Sequence, residues 1–144
     1  MTEIAIAFEP KIRARARQAA ETAARPQRRY SARVARQLAL AHALQRRIDS
    51  GEFADYSTMA RALGFTRARV TQLMDLLLLA PDIQTEILLL EVPPGEQPIS
   101  ERRLRDTLLK TLDWREQRKQ WAELRGGFAK LLDAQARSPA PTAR

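Results

Sequence analysis

Residue types that carry most enzyme chemistry are scarce or absent in this 144-residue chain. There is no cysteine, which excludes disulfides, thiolate metal sites and a cysteine nucleophile. One histidine, His42, is too few for a His-rich metal site and makes a Ser-His-Asp triad very hard to build. The chain also lacks a Gly-rich phosphate loop and a convincing pair of carboxylates in an apolar setting. We therefore expect a protein that is not an enzyme and that uses no cofactor and no metal.

Long apolar runs are missing as well. The longest uncharged stretch, residues 37–45, is far shorter than the roughly 20 residues that a membrane-spanning helix needs. The first residues, MTEIAIAFEPKIR, have no basic segment ahead of an apolar one, so we expect no secretion signal. The sequence predicts a cytoplasmic protein with no membrane partner.

Arginine is what the chain has in excess. It carries 25 Lys+Arg against 17 Asp+Glu, a formal net charge of +8. Residues 11–47 hold eleven basic side chains and one acidic side chain, whereas residues 51–100 hold three basic and seven acidic ones. Arginine matches phosphate geometry better than lysine does. The pattern favours a polyanionic partner, most simply nucleic acid, over a basic surface that serves only solubility.

Composition and helical spacing divide the chain into four parts. Residues 1–30, rich in Ala and Arg, are interpreted as a basic N-terminal arm. Residues 31–92 form a predicted helical domain, in which Ser31 caps a helix with Val34, Leu38 and Ala41 on its apolar side. After the linker VPPGEQP, residues 93–136 form further helices, and residues 137–144 a disordered tail.

The stretch YSTMARALGFTRARVTQLMDL, residues 56–76, has the spacing of a helix-turn-helix. Ser57 is predicted to cap the first helix and Thr66 the second, with Leu63 facing inward. A small residue lets the helices cross closely, a glycine makes the turn, and branched residues lock the second helix. Residues of these types occupy the fifth, ninth, fifteenth and eighteenth positions of the 21-residue stretch: Ala60, Gly64, Val70 and Leu73. The alternative interpretation is a plain helical hairpin in a core.

In a helix-turn-helix the second helix enters the major groove of DNA, so its outward residues are candidate contacts. Arg reads guanine, Gln reads adenine, and Thr or Ala contacts a thymine methyl or a phosphate. Arginines of the arm and the first domain helix are expected on phosphates. The candidate DNA-binding residues are Thr66, Arg67, Ala68, Arg69, Thr71, Gln72, Arg28, Arg29, Arg33 and Arg36. Nearby carboxylates would have to face elsewhere: Asp55, Asp75, Asp82 and Glu86.

The leucine-rich segments after this unit predict core helices. Residues 76–79 are expected to finish the second helix inside the core, and Pro81 to open a helix with Ile83, Ile87, Leu88 and Leu90 inward. Ser100 is expected to cap a helix carrying Leu104, Leu108, Leu109 and Leu112.

The last predicted helix begins with a capping box, Asp113 with Glu116. Aromatic residues recur every seven positions at Trp114, Trp121 and Phe128, Gln117 occupies an inward place, and residues 126–127, both glycine, interrupt the pattern. Two interpretations stay open: the helix folds back over the core, which we prefer, or it forms a dimerisation surface.

The run YSTMARALGFTRARVTQLMDLLLLAPDIQTEIL resembles the helix-turn-helix of ParB/KorB-type DNA-binding proteins. The later ISERRLRDTLLKTLDWREQRKQW resembles the segment that follows it in stand-alone KorB-like proteins of mobile-element and recombinase neighbourhoods. The resemblance covers about residues 31–124. It implies an all-helical domain whose helix from Thr66 lies in the major groove. The family's N-terminal nucleotide-binding domain has no counterpart in residues 1–50, so CTP hydrolysis and clamp sliding are not expected.

Together these observations predict an all-α, compact multi-helix bundle that contains a helix-turn-helix, with a basic N-terminal arm and a C-terminal amphipathic helix. The expected function is sequence-specific binding of double-stranded DNA by a small bacterial, phage or mobile-element transcriptional regulator, associated with the nucleoid. A homodimer is left open. The alternative is an adapter of a recombinase, partition or other DNA-processing complex with weak DNA binding. RNA binding is less favoured, because Tyr30, Tyr56 and Phe65 offer few stacking aromatics.

Deleting residues 1–29 should weaken binding to every DNA sequence by a similar factor and make the salt dependence of binding shallower, because the arm would contact phosphates only. Titrations of the full and shortened chains with two unrelated duplexes, at several salt concentrations, measure both effects. A truncation that altered sequence preference alone would contradict the phosphate role of the arm.

Overall fold

The computed structural model describes residues 13–20 and 29–137, with side chains described up to residue 129. Nearly all regular structure in these ranges is helical, which confirms the all-α compact bundle. The remainder of the predicted arm and the tail from residue 138 lie outside the described residues. In chain order the elements are α1 (13–20), β1 (Tyr30–Ser31), α2 (Arg33–Asp49), α3 (Tyr56–Leu63), α4 (Arg67–Asp75), α5 (Pro81–Leu88), β2 (Glu91–Val92), α6 (Glu101–Asp106) and α7 (Trp114–Arg137), with 3-10 turns at Leu76–Leu78 and Leu108–Lys110.

Two hydrophobic clusters form the core, and α2 contributes to both. Val34, Ala35 and Leu38 in its first half belong to a larger cluster with the segment after α4 and with α5, α6 and α7. Ala41 and Leu44 in its second half belong to a smaller cluster with α3 and α4. Helix α2 therefore sets the position of the α3–α4 pair relative to the C-terminal helices.

None of the helices in the described ranges combines the length and apolar character that a membrane span requires.

A two-stranded antiparallel ladder, which the sequence did not predict, joins the start of α2 to the end of α5. Tyr30 of β1 lies opposite Val92 of β2. The backbone N–H of Ala32 donates to the Leu90 carbonyl at 2.8 Å. Ser31 is a strand residue, so its predicted role as the N-cap of α2 is wrong.

A side chain from the predicted linker takes the place of that cap. The backbone N–H of Arg33, at the start of α2, donates to Gln97 Oε1 at 2.9 Å. Such an N–H has no partner within its own helix, so a distant amide can satisfy it as well as a local hydroxyl. Val92 and Ile99, at the two ends of the linker, are buried in the larger cluster. The linker is therefore packed against the core rather than separating two cores.

Side-chain caps begin α3, α4 and α6. Thr66 and Ser100 each accept from the backbone N–H three residues later, as predicted. Helix α3 is capped by Asp55, whose carboxylate accepts from the Thr58 N–H at 2.7 Å, so the prediction of Ser57 is wrong. An aspartate is as strong a cap as a serine, and its charge adds a favourable interaction with the helix dipole.

The leucine-rich segments leave their helices earlier than predicted. Helix α4 gives way to the turn Leu76–Leu78 before Pro81 begins α5, as predicted for that proline. Helix α6 likewise gives way to the turn Leu108–Lys110. A 3-10 turn has three residues per turn, so it rotates the following side chains off the apolar stripe of an α-helix. Two leucines predicted to lie in the core are exposed instead: Leu78 by 48% in the first turn and Leu88 by 39% at the end of α5. Leu112, predicted to lie on the helix that Ser100 caps, comes after the second turn and is 69% exposed.

Helix α7 folds back onto the larger cluster. Trp121 and Phe128 are buried there, with ring centroids 5.7 Å apart in an edge-to-face arrangement. Trp114, the first aromatic of the seven-residue series, is 47% exposed. The backbone of Phe128 departs from helical geometry (φ −127, ψ 18), so α7 kinks just after the two glycines that were predicted to interrupt it.

The capping box predicted at the start of α7 does not form. Asp113 Oδ1 accepts from the Arg115 N–H at 2.9 Å, an N-cap bond to the second helical residue rather than to the third as in the box. The N–H of Asp113 donates to Thr111 Oγ1 at 3.1 Å instead of to Glu116. Glu116 lies 3.6 Å from Lys119 Nζ. The Thr111 hydroxyl thus accepts the Asp113 N–H, which the Glu116 side chain would accept in a capping box.

Gln117, predicted to face inward, is fully buried and ties α7 to the segment between α4 and α5. Its Oε1 accepts from the Ala80 N–H at 2.8 Å. Its Nε2 donates to the Leu78 carbonyl at 3.2 Å and to the Thr111 carbonyl at 2.9 Å. These backbone groups lie where the chain is not α-helical, so the amide supplies partners that a helix would otherwise provide.

Replacing Gln117 with alanine should lower the free energy of unfolding by about 2–4 kcal/mol, because three backbone groups lose their partner and a void remains. Urea denaturation followed by circular dichroism measures the loss. Gln120→Ala, a half-buried glutamine of the same helix, is the matched control and should cost less than about 1 kcal/mol. Equal losses in the two variants would contradict the role of Gln117.

Candidate nucleic-acid interface

Helices α3 and α4 are joined by a three-residue turn, residues 64–66. Gly64 has φ 71, in the left-handed region that favours glycine. The N–H of Phe65 donates to the Ala60 carbonyl at 2.9 Å, which closes the end of α3. Thr66 caps α4, and Arg67 is its first residue. The predicted sequence of short helix, glycine turn and capped second helix is present.

One side of α4 is held by the smaller cluster. Val70, Leu73 and Met74 are buried there together with Met59 and Ala60 of α3. This confirms the inward positions predicted for Val70, Leu73 and Ala60. Because residues three and four apart share a face of a helix, anchoring this side leaves the opposite side of α4 to solvent.

The solvent side of α4 carries most of the predicted contact residues. Thr71 Oγ1 donates to the Arg67 carbonyl one turn earlier at 3.1 Å, so its methyl group and not its hydroxyl is free to face outward. Five of the predicted contact residues lie on this side, and we call them the α4 face: Thr66, Arg67, Ala68, Thr71 and Gln72. Gln72 is half-buried, and the other four are exposed.

Arg69, also predicted to contact DNA, is bound within the protein. Its Nη1 lies 2.9 Å from Oε1 and 2.8 Å from Oε2 of Glu101, at the start of α6. The Glu101 side chain is only 6% exposed, and that of Arg69 is 35% exposed. Arg105 Nε lies 3.5 Å from the same carboxylate. A carboxylate this buried needs paired cations, so Arg69 is held at the side of α4.

The arginines at the start of α2 are placed differently. Arg33 and Arg36 are exposed, as is Arg67 on α4. None of these three side chains makes a hydrogen bond or an ion pair with another of the residues that the structure describes. Arg29 is half-buried just before β1, and Arg28 lies outside the described residues. Arg33, Arg36 and Arg67 can therefore take an anionic ligand without breaking an internal pair.

Two of the carboxylates predicted to face away from DNA are bound to arginines of α7. Asp82 lies 2.9 Å from Arg118 Nε, and Glu86 lies 3.4 Å from Arg125 Nη1. Hydrogen bonding to Arg118 lowers the pKa of the Asp82 carboxyl below its ordinary value. These two acids of α5 are thus neutralised by the C-terminal helix.

The other two carboxylates flank the α3–α4 unit. Asp55 is used as the cap of α3, and the hydrogen bond from the Thr58 N–H lowers its pKa below the ordinary value. Asp75 is half-buried at the end of α4. It lies three residues after Gln72 and four after Thr71, so it shares their side of the helix. The expectation that all four acids turn away is wrong for Asp75.

Glu101 is the residue of this region that sequence reasoning did not single out. A glutamate beside a helix cap is ordinarily solvent-exposed, and full burial of a charged side chain is rare unless it is paired. The pair spans 32 residues, from Arg69 to Glu101, and no local pattern signals it. In the part of the chain that the structure describes, no three His, Cys, Asp or Glu side chains gather as a metal site.

Comparison of the chain with protein-family models, with curated proteins and with solved structures gives no match.

Gly64→Ala should lower the free energy of unfolding by about 1–2 kcal/mol, because a residue with a side chain resists the left-handed conformation. An added Cβ would meet no atom within 4 Å, so this cost is conformational rather than steric. Gly126→Ala, in α7 and without a positive φ, is the matched control and should stabilise by up to about 1 kcal/mol. Chemical denaturation of both variants checks the difference in sign, and a neutral Gly64→Ala would contradict it.

Proposed function

We propose that this protein binds double-stranded DNA in a sequence-specific manner and acts as a small transcriptional regulator. The observation that carries the proposal is that one side of α4 is buried and the opposite side is exposed. Val70 and Leu73 anchor one side in the core, and the opposite α4 face presents polar side chains to solvent. A short helix supported in this way by a preceding helix and a tight turn is how a helix-turn-helix offers its second helix to the major groove.

The side chains of the α4 face have the chemistry for reading base edges. Arg67 stands in the first turn of α4, where recognition helices contact bases, and its guanidinium can donate to both acceptors of a guanine. The Gln72 amide can pair with an adenine in the same bidentate manner. Ala68 and the methyl group of Thr71 suit a thymine methyl. Thr66, whose hydroxyl serves as the cap, positions the helix.

Phosphate contacts would supply the affinity. Arg33 and Arg36, three residues apart and thus on one side of α2, are exposed cations without an internal partner among the described residues. Each phosphate that such a residue neutralises releases condensed counterions and makes binding weaker as salt rises. These contacts fix the register of the protein on the duplex, whereas the α4 face discriminates between sequences.

The resemblance to ParB/KorB-type proteins supports the same assignment. It covers the α3–α4 unit, where the glycine turn, the Thr66 cap and the buried Val70 have the positions that the motif requires. A single helix of nine residues reads few base pairs. We therefore propose that two copies bind a two-fold site, with half-sites about 34–36 Å apart.

Selection of bound fragments from random duplex DNA tests the proposal directly. A regulator should enrich one discrete sequence, protect it in a footprint at the same protein concentration, and shift as a complex of defined mass. Enrichment of no sequence would contradict sequence-specific binding.

Arg67→Ala should reduce discrimination between the selected site and an unrelated duplex by about 1–3 kcal/mol, roughly fivefold to more than a hundredfold, while helicity is retained. Arg115→Ala, which removes the same charge from an exposed position on α7, is the matched control and should leave the ratio unchanged. Fluorescence anisotropy with both duplexes gives the ratio. Discrimination that survives Arg67→Ala would contradict our placement of α4 in the groove.

An adapter of a recombinase or partition complex is the second candidate, favoured by apolar side chains left outside the core. Leu112 is 69% exposed and Trp114 is 47% exposed at the start of α7. Leu78, 48% exposed, belongs to the segment that Gln117 ties to Thr111, so the three lie in one region. An adapter would protect little DNA in a footprint until its partner is added.

A further inference from the structure

A cleft of about 290 Å³ lies between the start of α2, the side of α4 and the start of α6. Four arginines line it: Arg33, Arg69, Arg102 and Arg105. Glu101 is the one carboxylate in its described lining, which contains no aromatic ring. The excess of guanidinium groups over carboxylates makes the cleft a site for an anion, and the missing ring gives a nucleobase nothing to stack on.

The arginines of this cleft are partly held in place before any ligand arrives. Glu101, buried at its base, binds Arg69 with both oxygens and has Arg105 Nε at 3.5 Å. Both arginines nevertheless keep about a third of their side chain exposed, 35% and 29%. One carboxylate cannot neutralise two guanidinium groups, so positive charge remains in the cleft. Prior ordering also reduces the entropy lost when an anion is bound.

Arg33 and Arg102, the other two arginines that line the cleft, are little neutralised by carboxylates of the described residues. Arg33 has no side-chain partner among the described residues. Arg102 Nε is 3.5 Å from Asp106, but both side chains are largely exposed, by 85% and 64%. An exposed pair of this kind contributes little and is easily exchanged for another anion.

The position of Arg69 on α4 relates the cleft to the proposed DNA complex. It lies three residues before Gln72 of the α4 face and four before the buried Leu73, so it occupies the flank between the two sides. A helix about 10–12 Å across fills a major groove about 12 Å wide, and the two phosphate backbones then run along its flanks. The flank with Arg69 opens into the cleft.

We propose that this cleft binds a backbone phosphate of the DNA strand beside α4, and that Arg69 contacts the backbone rather than a base. The inference rests on the proposed function and adds α6 to the DNA-binding surface. Arg33, Arg102 and Arg105 bind the phosphate with Arg69, and Glu101 is a positioning residue that orients Arg69 and Arg105. The cleft volume lies at the lower limit of small-molecule pockets, which suits one phosphate group better than a larger ligand.

Arg33→Gln and Arg102→Gln test the cleft, because both side chains are exposed and neither binds the buried Glu101. Each should weaken binding to the selected site and to an unrelated duplex by the same factor, roughly fivefold at 0.15 M salt. Each should also make the slope of log K against log salt shallower by up to about 0.9, the value for the loss of one phosphate contact. Arg103→Gln is the matched control: it removes the same charge from α6, the helix of Arg102, at an exposed position that lines a different surface. It should leave the DNA affinity and the salt slope unchanged.

Glu101→Gln, made in parallel, removes the carboxylate that orients Arg69 and Arg105 and should weaken binding to both duplexes alike, with thermal unfolding measured to confirm the fold. If the parent protein binds its site and Arg33→Gln and Arg102→Gln match Arg103→Gln, the cleft proposal is overturned together with the phosphate role of Arg33, and sequence-specific binding through the α4 face stands. If the parent protein binds no duplex, both are overturned. Titration with inorganic phosphate, followed by NMR of the arginine Nε–H signals, tests whether the cleft binds free phosphate instead of the DNA backbone. Saturable binding of free phosphate, together with a DNA affinity that the variants do not change, also overturns a backbone contact.

Discussion

Helix α2 packs in both hydrophobic clusters, and the placement of the candidate interface depends on that shared helix. At about 25 Å for 17 residues it is long enough to carry two clusters in succession. Its second half shares the smaller cluster with Val70 and Leu73 through Ala41 and Leu44, and its first half shares the larger cluster with α5 and the C-terminal helices. Because protein interiors are close-packed, α4 cannot rotate about its axis without opening voids in the smaller cluster. The hydrophobic packing of α2 therefore determines which side of α4 meets solvent.

Polar contacts then hold α4 at its start, its flank and its end. The Thr66 cap fixes the first turn, the pair of Arg69 with Glu101 fixes one flank, and Gln117 binds the segment that follows. Glu101 and Gln117 are buried polar side chains, and each contacts more than one partner. A helix ordered in this way loses little conformational freedom on binding, which favours affinity and a defined register.

The fold decides which of the charged side chains are paired within the protein and which stay exposed. Along the chain both ends are basic, residues 11–47 more strongly than residues 101–144, and residues 51–100 are acidic. In the fold, arginines of α7 neutralise the acids of α5 through Arg118 with Asp82 and Arg125 with Glu86. Arg33 and Arg36 of α2 have no such internal partners among the described residues. Part of the C-terminal charge is thus paired within the fold, and the charge at the start of α2 is left exposed to solvent.

Local chemistry was enough to predict the α3–α4 unit. Gly64 needs a left-handed backbone, Thr66 caps the helix that it precedes, and the spacing of Val70 and Leu73 identifies the buried side; all of these depend on neighbours within a few residues. Two failures are local, since Asp55 rather than Ser57 caps α3 and Thr111 takes the N–H of Asp113. The others involve distant partners. Gln97 replaces Ser31 at the start of α2 across 64 residues, and Glu101 binds Arg69 across 32. Periodicity reports which side of a helix is apolar, but not which element covers it, so the exposure of Leu112 and the burial of Glu101 were settled by packing alone.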